Sequence, residues 1–254
     1  MLSDAERARY LRHILLKEVG AQGQRKLLDA SVLVVGAGGL GAPIVQYLAA
    51  AGVGRLGVVD DDRVGVSNLQ RQVIYRAAAV GRRMAATAAA AAKAIAPDLQ
   101  VDAIDARFDA ANADLAAAYD VVVEGVDAFA ARYDINRACL AARTPLVSAA
   151  LGRFDGQVAT FKPYAGDLPC YRCFAPAPPP ADAVLACGDG GVLGPVAGVV
   201  GSIAALEVLK ELLGLGDSLA GRLWLFDGLS GAARVVDLPR DPACADCGAV
   251  RRPA

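Results

Sequence analysis

The sequence is poor in several things, and each shortage removes a class of function. Among 254 residues there is one histidine, His13, one tryptophan and two methionines. A single histidine makes catalysis by a histidine general base an unpromising reading. Neither charge sign is in excess: 26 Lys and Arg stand against 27 Asp and Glu, a net charge of −1. That balance gives no electrostatic attraction to nucleic acid or to an anionic membrane surface, so neither is expected as a partner. Long apolar runs are missing as well. The longest uncharged stretch, Gly190 to Leu206, is roughly 17 residues, the bottom of the membrane-spanning range. Glycines and Pro195 interrupt it, and Glu207, Lys210 and Glu211 follow at once. It reads as a helix buried against a sheet. The opening Met-Leu-Ser-Asp-Ala-Glu-Arg is charged from the start and has no apolar core, so no signal peptide is expected. A cytoplasmic location is the expectation.

What is present alternates between strand and helix patterns. Ala5 to Leu16 carries Tyr10, Ile14 and Leu11, Leu15 at helical spacing, and Gln22 to Leu28 predicts a second short helix. Ser31-Val-Leu-Val-Val35 is a continuous β-branched run of the kind a buried parallel strand needs. A helix over Pro43–Ala51 follows, stopped by Gly52, and then a strand Leu56–Val59 ending at Asp60, Asp61 and Asp62. The alanine-rich Met84–Ala96 predicts a helix closed by Pro97. Strands are expected at Val101–Ile104, Asp120–Val123 and Leu146–Ser148, with a helix over Ala130–Ala142 and a further strand at Phe154–Lys162. Arg222–Phe226 and Ala233–Asp237, joined through Gly228-Leu-Ser-Gly231, predict a hairpin. Pro176-Ala-Pro-Pro-Pro180 predicts a stiff extended loop. Ile203, Leu206, Leu209 and Leu213 are expected to form a core face, as is one side of the alanine-rich helix. Length and pattern together predict one α/β domain over residues 1–254. It divides into a helical arm (1–28), a nucleotide-binding core (29–165) and a C-terminal region (166–254).

Gly36-Ala-Gly38-Gly39-Leu-Gly41 follows a strand and opens a helix, the context in which a glycine-rich turn can cradle phosphate. Asp60 lies about 20 residues beyond it at a strand end, where a ribose hydroxyl would sit. The fold class is therefore α/β, a Rossmann-like, doubly wound, mostly parallel sheet with N-terminal helices, a C-terminal hairpin and, from two Cys-x-x-Cys pairs near Cys170 and Cys247, an expected zinc region. The turn alone does not separate NAD from ATP. Ser67-Asn68-Leu-Gln-Arg71-Gln72 does. An arginine at this mouth suits an enzyme that cleaves between α- and β-phosphates, because the leaving pyrophosphate gathers charge that a guanidinium grips with two bonds. Six cysteines occur, and four of them form two short-spaced pairs, Cys170-Tyr-Arg-Cys173 and Cys244-Ala-Asp-Cys247. Two such turns supply the four thiolates of a closed structural Zn²⁺ site. Cys139, within a predicted helix, reads as a small core residue.

With these strings in hand, the chain resembles the MoeB/ThiF/HesA-type adenylyltransferases, relatives of the ubiquitin-activating enzymes. The resemblance runs from Tyr10-Leu-Arg12 to the last cysteine pair. It implies ATP-dependent adenylation of the C-terminal carboxylate of a small ubiquitin-like sulfur-carrier protein ending in Gly-Gly. It also implies that Asp60, with Asp62 beside it, serves the ribose end, that Asn68 and Arg71 contact the triphosphate, and that Asp127 holds Mg²⁺. Arg12 would reach into the partner subunit of a homodimer, and Cys187 would be the cysteine that in some members attacks the activated carrier. The sequence departs from the family twice. Met84 stands where a phosphate-binding lysine is usual, with Arg82 and Arg83 as expected substitutes, and Ala128 follows Asp127 where asparagine is common. Two other readings remain at this level: a non-catalytic carrier- or nucleotide-binding homologue, and an NAD-dependent oxidoreductase.

Overall fold

The Ser31–Val35 run forms β1 with both faces buried, as its lack of any charged residue requires. Val32 and Val34 enter one apolar cluster, Leu33 and Val35 the other, because successive side chains leave a strand on opposite faces. The computed structural model describes residues 1–178 and 191–249. In it β1 lies inside an eight-stranded sheet with β2 (Arg55–Val59), β3 (Gln100–Ile104), β4 (Val121–Glu124), β5 (Leu146–Leu151), β6 (Asp155–Phe161), β7 (Arg222–Asp227) and β8 (Ala232–Asp237). The order is β3-β2-β1-β4-β5-β6-β7-β8. The first five strands run parallel, and β6 to β8 extend the sheet in antiparallel fashion.

Helices cover both faces. On one side α4 (Gly41–Ala51), α5 (Met84–Ile95) and α8 (Gly194–Leu213) pack onto the sheet; on the other lie α6 (Phe129–Ala142) and a 3₁₀ stretch, Ala110–Ala118. α3 (Gly20–Asp29) and the short α7 (Tyr171–Phe174) complete the frame. The connection from β1 leads to one face and that from β4 to the other, so a crevice opens between β1 and β4 at their C-terminal ends. No helix among the described residues is long and apolar enough to cross a membrane.

Two expectations need correction. The helix predicted over Ala5–Leu16 is broken at Tyr10 into α1 (Asp4–Arg9) and α2 (Leu11–Ile14). Tyr10 is buried, and its ring fills the space over Gly52, where a Cβ would lie 2.6 Å from Cζ. The chain turns at Tyr10 (φ −101°, ψ 17°) to deliver that ring, which helical periodicity does not reveal. The core face of α8 also differs from the expected stripe: Ile203 and Leu209 pack half-buried at its edge, and its centre is built from smaller residues. Val196, Val200, Ala204 and Val208 face the sheet, whereas Leu206 is 53% exposed. Small residues win because α8 runs close to α4: a Cβ on Gly201 would meet Pro43 at 2.4 Å.

Candidate active site

The glycine-rich turn is shaped by its own ends. Gly36 has φ +89°, a conformation open to glycine at little cost, and a Cβ on Gly41 would lie 2.0 Å from the Gly36 carbonyl oxygen. Gly41 thus packs the first turn of α4 onto the end of β1, while Gly36, Gly38 and Gly39 line a cavity of about 840 Å³. The next residue, Ala37, is held on both sides. Its N–H donates to Asp60 Oδ2 (2.8 Å), and its carbonyl accepts from the Tyr75 hydroxyl (2.8 Å). Asp60 Oδ1 also accepts from the Asp62 N–H (2.9 Å). Burial raises the Asp60 pKa above the usual carboxylate value, against the lowering effect of these two N–H donors. Tyr75 is raised too, by burial first and then by the Asp60 charge.

The Ser67–Gln72 segment closes one side of the cavity. Asn68 Oδ1 accepts from the Gly65 N–H (2.7 Å), which leaves its amide NH₂ as the donor available to a ligand. Arg71 Nη1 donates to the Ser67 carbonyl (3.0 Å), and its stem passes the turn, with Cδ 3.6 Å from where a Cβ on Gly39 would be. The start of α8 presses on the same loop; a Cβ at Gly194 would sit 2.4 Å from the Gln70 carbonyl oxygen. Gln72 carries a signal that its position in the string did not reveal. It is buried beside Gly38, and its Oε1 has no partner among the described residues. An unpaired buried amide oxygen costs about 1–3 kcal/mol, the kind of deficit that a bound ligand or water removes.

Asp127 enters from the opposite wall, on the loop that leaves β4, exposed and lining the same cavity as Asn68, Arg71 and Asp62. The loop is anchored by Arg132 of α6 and Glu124 of β4, neither of which the sequence pattern singled out. Arg63 and Arg107 line the cavity as well. Arg12 is exposed on α2 and does not line the cavity of its own chain. Gly41 does not line it either. Met84 is buried at the start of α5 and lines the site, but Arg82 and Arg83 do not. Arg83 is committed elsewhere: Nη1 donates to the Asp61 carbonyl (2.7 Å), and Nε pairs with Asp105 (3.0 Å). Cys187 and the last two prolines of the proline-rich loop, Pro179 and Pro180, lie outside the described residues.

The four paired cysteines converge. Their sulfurs all lie within 4.8 Å of one another, with Cys170 to Cys244 at 3.6 Å and Cys173 to Cys247 at 3.4 Å. A tetrahedral Zn²⁺ with Zn–S bonds of ~2.3 Å needs sulfurs about 3.8 Å apart, so the cluster is compatible with that ion. It also fastens the tail to α6. Asp246, between the last two cysteines, accepts from Asn136 Nδ2 (2.8 Å) and pairs with Arg172 (2.9 Å). Cys139, by contrast, is a buried core thiol raised in pKa mainly by that burial.

The ThiF family matches residues 10–247. The chain belongs to the ThiF family. It is 50% identical over 249 residues to the Bos taurus adenylyltransferase and sulfurtransferase MOCS3, covering 97% of this chain and 54% of that protein. Against the Thermus thermophilus sulfur carrier protein adenylyltransferase it is 48% identical over 244 residues, 94% of this chain and 90% of that one. The chain thus spans about half the length of the MOCS3 relatives and nearly all of the bacterial one. Crystal structures of Escherichia coli MccB share the architecture: the MccB structure with ATP has a TM-score of 0.80 at 22% identity, covering 94% of this chain and 74% of that one. At that identity the likeness concerns the fold alone.

Proposed function

We propose that this ThiF-family chain adenylates the C-terminal carboxylate of a small ubiquitin-like sulfur carrier with ATP. One observation carries the reading: Arg71, Asn68 and Asp127 surround the same cavity as the Gly36–Gly39 turn. The turn and the N-terminus of α4 suit phosphate, Asp60 stands at the ribose end, and Arg71 faces the side where pyrophosphate departs. A hydride-transfer enzyme has no use for that arginine loop. The carrier carboxylate is already ionised at pH 7 and needs no general base, in keeping with a single histidine. The chain's own residues position the tail and neutralise charge as the bond to pyrophosphate breaks. Mg²⁺ fits this site, because one carboxylate plus substrate phosphates is its usual environment; Asp127 would hold it, and the ion would supply charge neutralisation. The named relatives support this reading, since one is a sulfur carrier protein adenylyltransferase and another an adenylyltransferase and sulfurtransferase. Carrier-dependent exchange of pyrophosphate into ATP is the test. ATP binding without exchange, across the small Gly-Gly-ending proteins of the source genome, would instead support a non-catalytic binding protein.

Zinc in the cysteine cluster belongs to the same reading. Protein purified without chelator is expected to hold about one zinc per chain, lost together with folding of the tail when Cys170 and Cys173 become serine. Metal analysis that finds none, with four freely titrating thiols, would sink this assignment. A homodimer would cover apolar side chains that are exposed on α4 (Tyr47) and on α8 (Val199 and Leu206). A solution mass twice the 26.0 kDa of one chain is expected, and a monomer at working concentration would remove Arg12 from the site.

Met84 bears on rate. Arg82 and Arg83 do not line the cavity, so a lysine at 84 would add a cation where none of the adjacent residues supplies one. Met84→Lys is expected to raise exchange about tenfold, roughly 1.4 kcal/mol of added transition-state stabilisation. An unchanged or lower rate would show that Arg63 or Arg107 already serves the phosphates.

A further inference from the structure

Asp127 sits on a loop, and loops do not by themselves aim a carboxylate. The residue before it, Val126, is held on both sides of its backbone. Its N–H donates to Glu124 Oε2 (3.0 Å), and its carbonyl accepts from Arg132 Nε (3.1 Å) and Nη2 (2.5 Å). Arg132 Nη2 also donates to the Ala149 carbonyl on β5 (3.2 Å), and Nη1 lies 3.7 Å from Glu124 Oε1. Both side chains are buried, Arg132 at 7% and Glu124 at 1% exposure, and Glu124 further accepts from the Ser148 hydroxyl. A buried ion pair is costly to desolvate and is weak support for stability as such. A hydrophobic pair of the same volume would fill this space at least as well. What the apolar pair could not do is bond both polar groups of Val126 and tie that residue to a neighbouring strand.

An aromatic ring packs beside Arg132 as well. Its guanidinium lies 6.0 Å from the centre of the Tyr171 ring. Tyr171 follows Cys170 directly, and its N–H donates to Asn136 Oδ1 (2.9 Å). The arginine is thus packed between the residue that begins the cysteine cluster and the residue that precedes Asp127.

We infer that Arg132, paired with Glu124, is a positioning residue that fixes the Val126 backbone and so the aim of Asp127 into the nucleotide cavity. The inference rests on the role proposed for Asp127, namely holding the divalent ion with ATP; it does not rest on the identity of the carrier.

The test is equilibrium binding of ATP by calorimetry, with and without Mg²⁺, which needs no carrier and no turnover. In the wild type, Mg²⁺ should tighten ATP at least tenfold. Arg132→Lys keeps a buried positive charge beside Glu124, but an ammonium cannot bond the Val126 and Ala149 carbonyls in the planar fork of the guanidinium. It should lose most of the Mg²⁺ enhancement while ATP affinity without Mg²⁺ changes less than about threefold, because the glycine-rich turn is untouched. The paired variant Glu124→Gln/Arg132→Met removes both charges together and guards against misfolding of the single change. It should show the same loss, with wild-type zinc content and a cooperative thermal melt. Asp127→Asn should show no further loss when added to Arg132→Lys, since both act through one carboxylate. Full Mg²⁺ enhancement in a folded Arg132→Lys or in the paired variant would overturn the inference, as would a wild type whose ATP affinity ignores Mg²⁺. An equal loss with and without Mg²⁺ would show general damage to the site and would overturn it as well. Failure of the wild type to exchange pyrophosphate with any carrier would strike the adenylation reading and leave this binding measurement standing.

Discussion

Arg71→Ala is expected to lower carrier-dependent ATP–pyrophosphate exchange by about 10²–10³ while leaving the melting temperature nearly unchanged. The size follows from where the charge is needed. Departure of pyrophosphate concentrates negative charge on one side of the cavity, and Arg71 is the cation whose stem lies against the Gly39 turn on that side. Half-buried, it works in a medium that screens less than water, so one guanidinium contact there is worth several kcal/mol in the transition state. The loop does not depend on this side chain for its shape. Asn68 bonds the Gly65 N–H, and the Arg71 and Gln72 N–H groups donate to the Asn68 carbonyl. Among the described residues, the Arg71 side chain contributes only its bond to the Ser67 carbonyl. Arg71→Lys should recover part of the loss, because an ammonium restores the charge but not the paired bonds. Exchange near the wild-type rate in Arg71→Ala would make this arginine a surface residue and the loop a solvated turn.

The parts of this site that could be read in the sequence are those written in local patterns. β1 announces itself by five residues without a charge, and Gly36 to Gly41 by spacing that only a strand–turn–helix passage needs. The two cysteine pairs are close in sequence, and the described sulfurs do meet, although 74 residues separate each pair's partners across the cluster. The hairpin of β7 and β8 was legible for the same reason: alternation on either side of a glycine-bounded turn. The sequence pattern places Arg71 and Asp127 on the loops after β2 and β4, but only the strand order shows that these loops face each other across β1.

What stayed hidden depends on burial decided at a distance. Tyr10 breaks a helix because Gly52, more than forty positions away, leaves room for a ring. Leu206 looks like core until α4 is found pressed against the glycine face of α8, which leaves Leu206 on the outer side while Leu209 and Leu212 stay half-buried. Glu124 ends an apolar strand and would ordinarily mark its exit to solvent, yet it is buried because Arg132, eight residues on, reaches back to it. Gln72 is one polar residue in a polar string; its distinction is an orphaned oxygen beside the phosphate turn, a property of packing with no sequence signature. In each case the residue type was unremarkable and its neighbours were not.

The largest separable effect on the other wall of the cavity should come from Asp127→Asn. Asparagine keeps the shape of the side chain, and the backbone that carries it is fixed by Glu124 and Arg132 rather than by Asp127 itself, so the fold should persist with wild-type zinc content. The charge, however, is gone. A neutral amide binds a hard divalent ion weakly, and phosphoryl-group chemistry relies on that ion to neutralise charge between the phosphates. Exchange should fall by about 10² or more, comparable to the loss of one strong electrostatic contact. Raising Mg²⁺ should recover part of the rate in Asp127→Asn, because the defect is one of affinity for the ion. The same addition should do nothing for Arg71→Ala, whose defect is a missing protein cation. That difference in response assigns the two walls of the cavity to different tasks, the metal side and the pyrophosphate side. Should excess Mg²⁺ rescue both variants equally, or neither, the assignment of Asp127 to the ion would fall, and its carboxylate would have to act on the carrier tail instead.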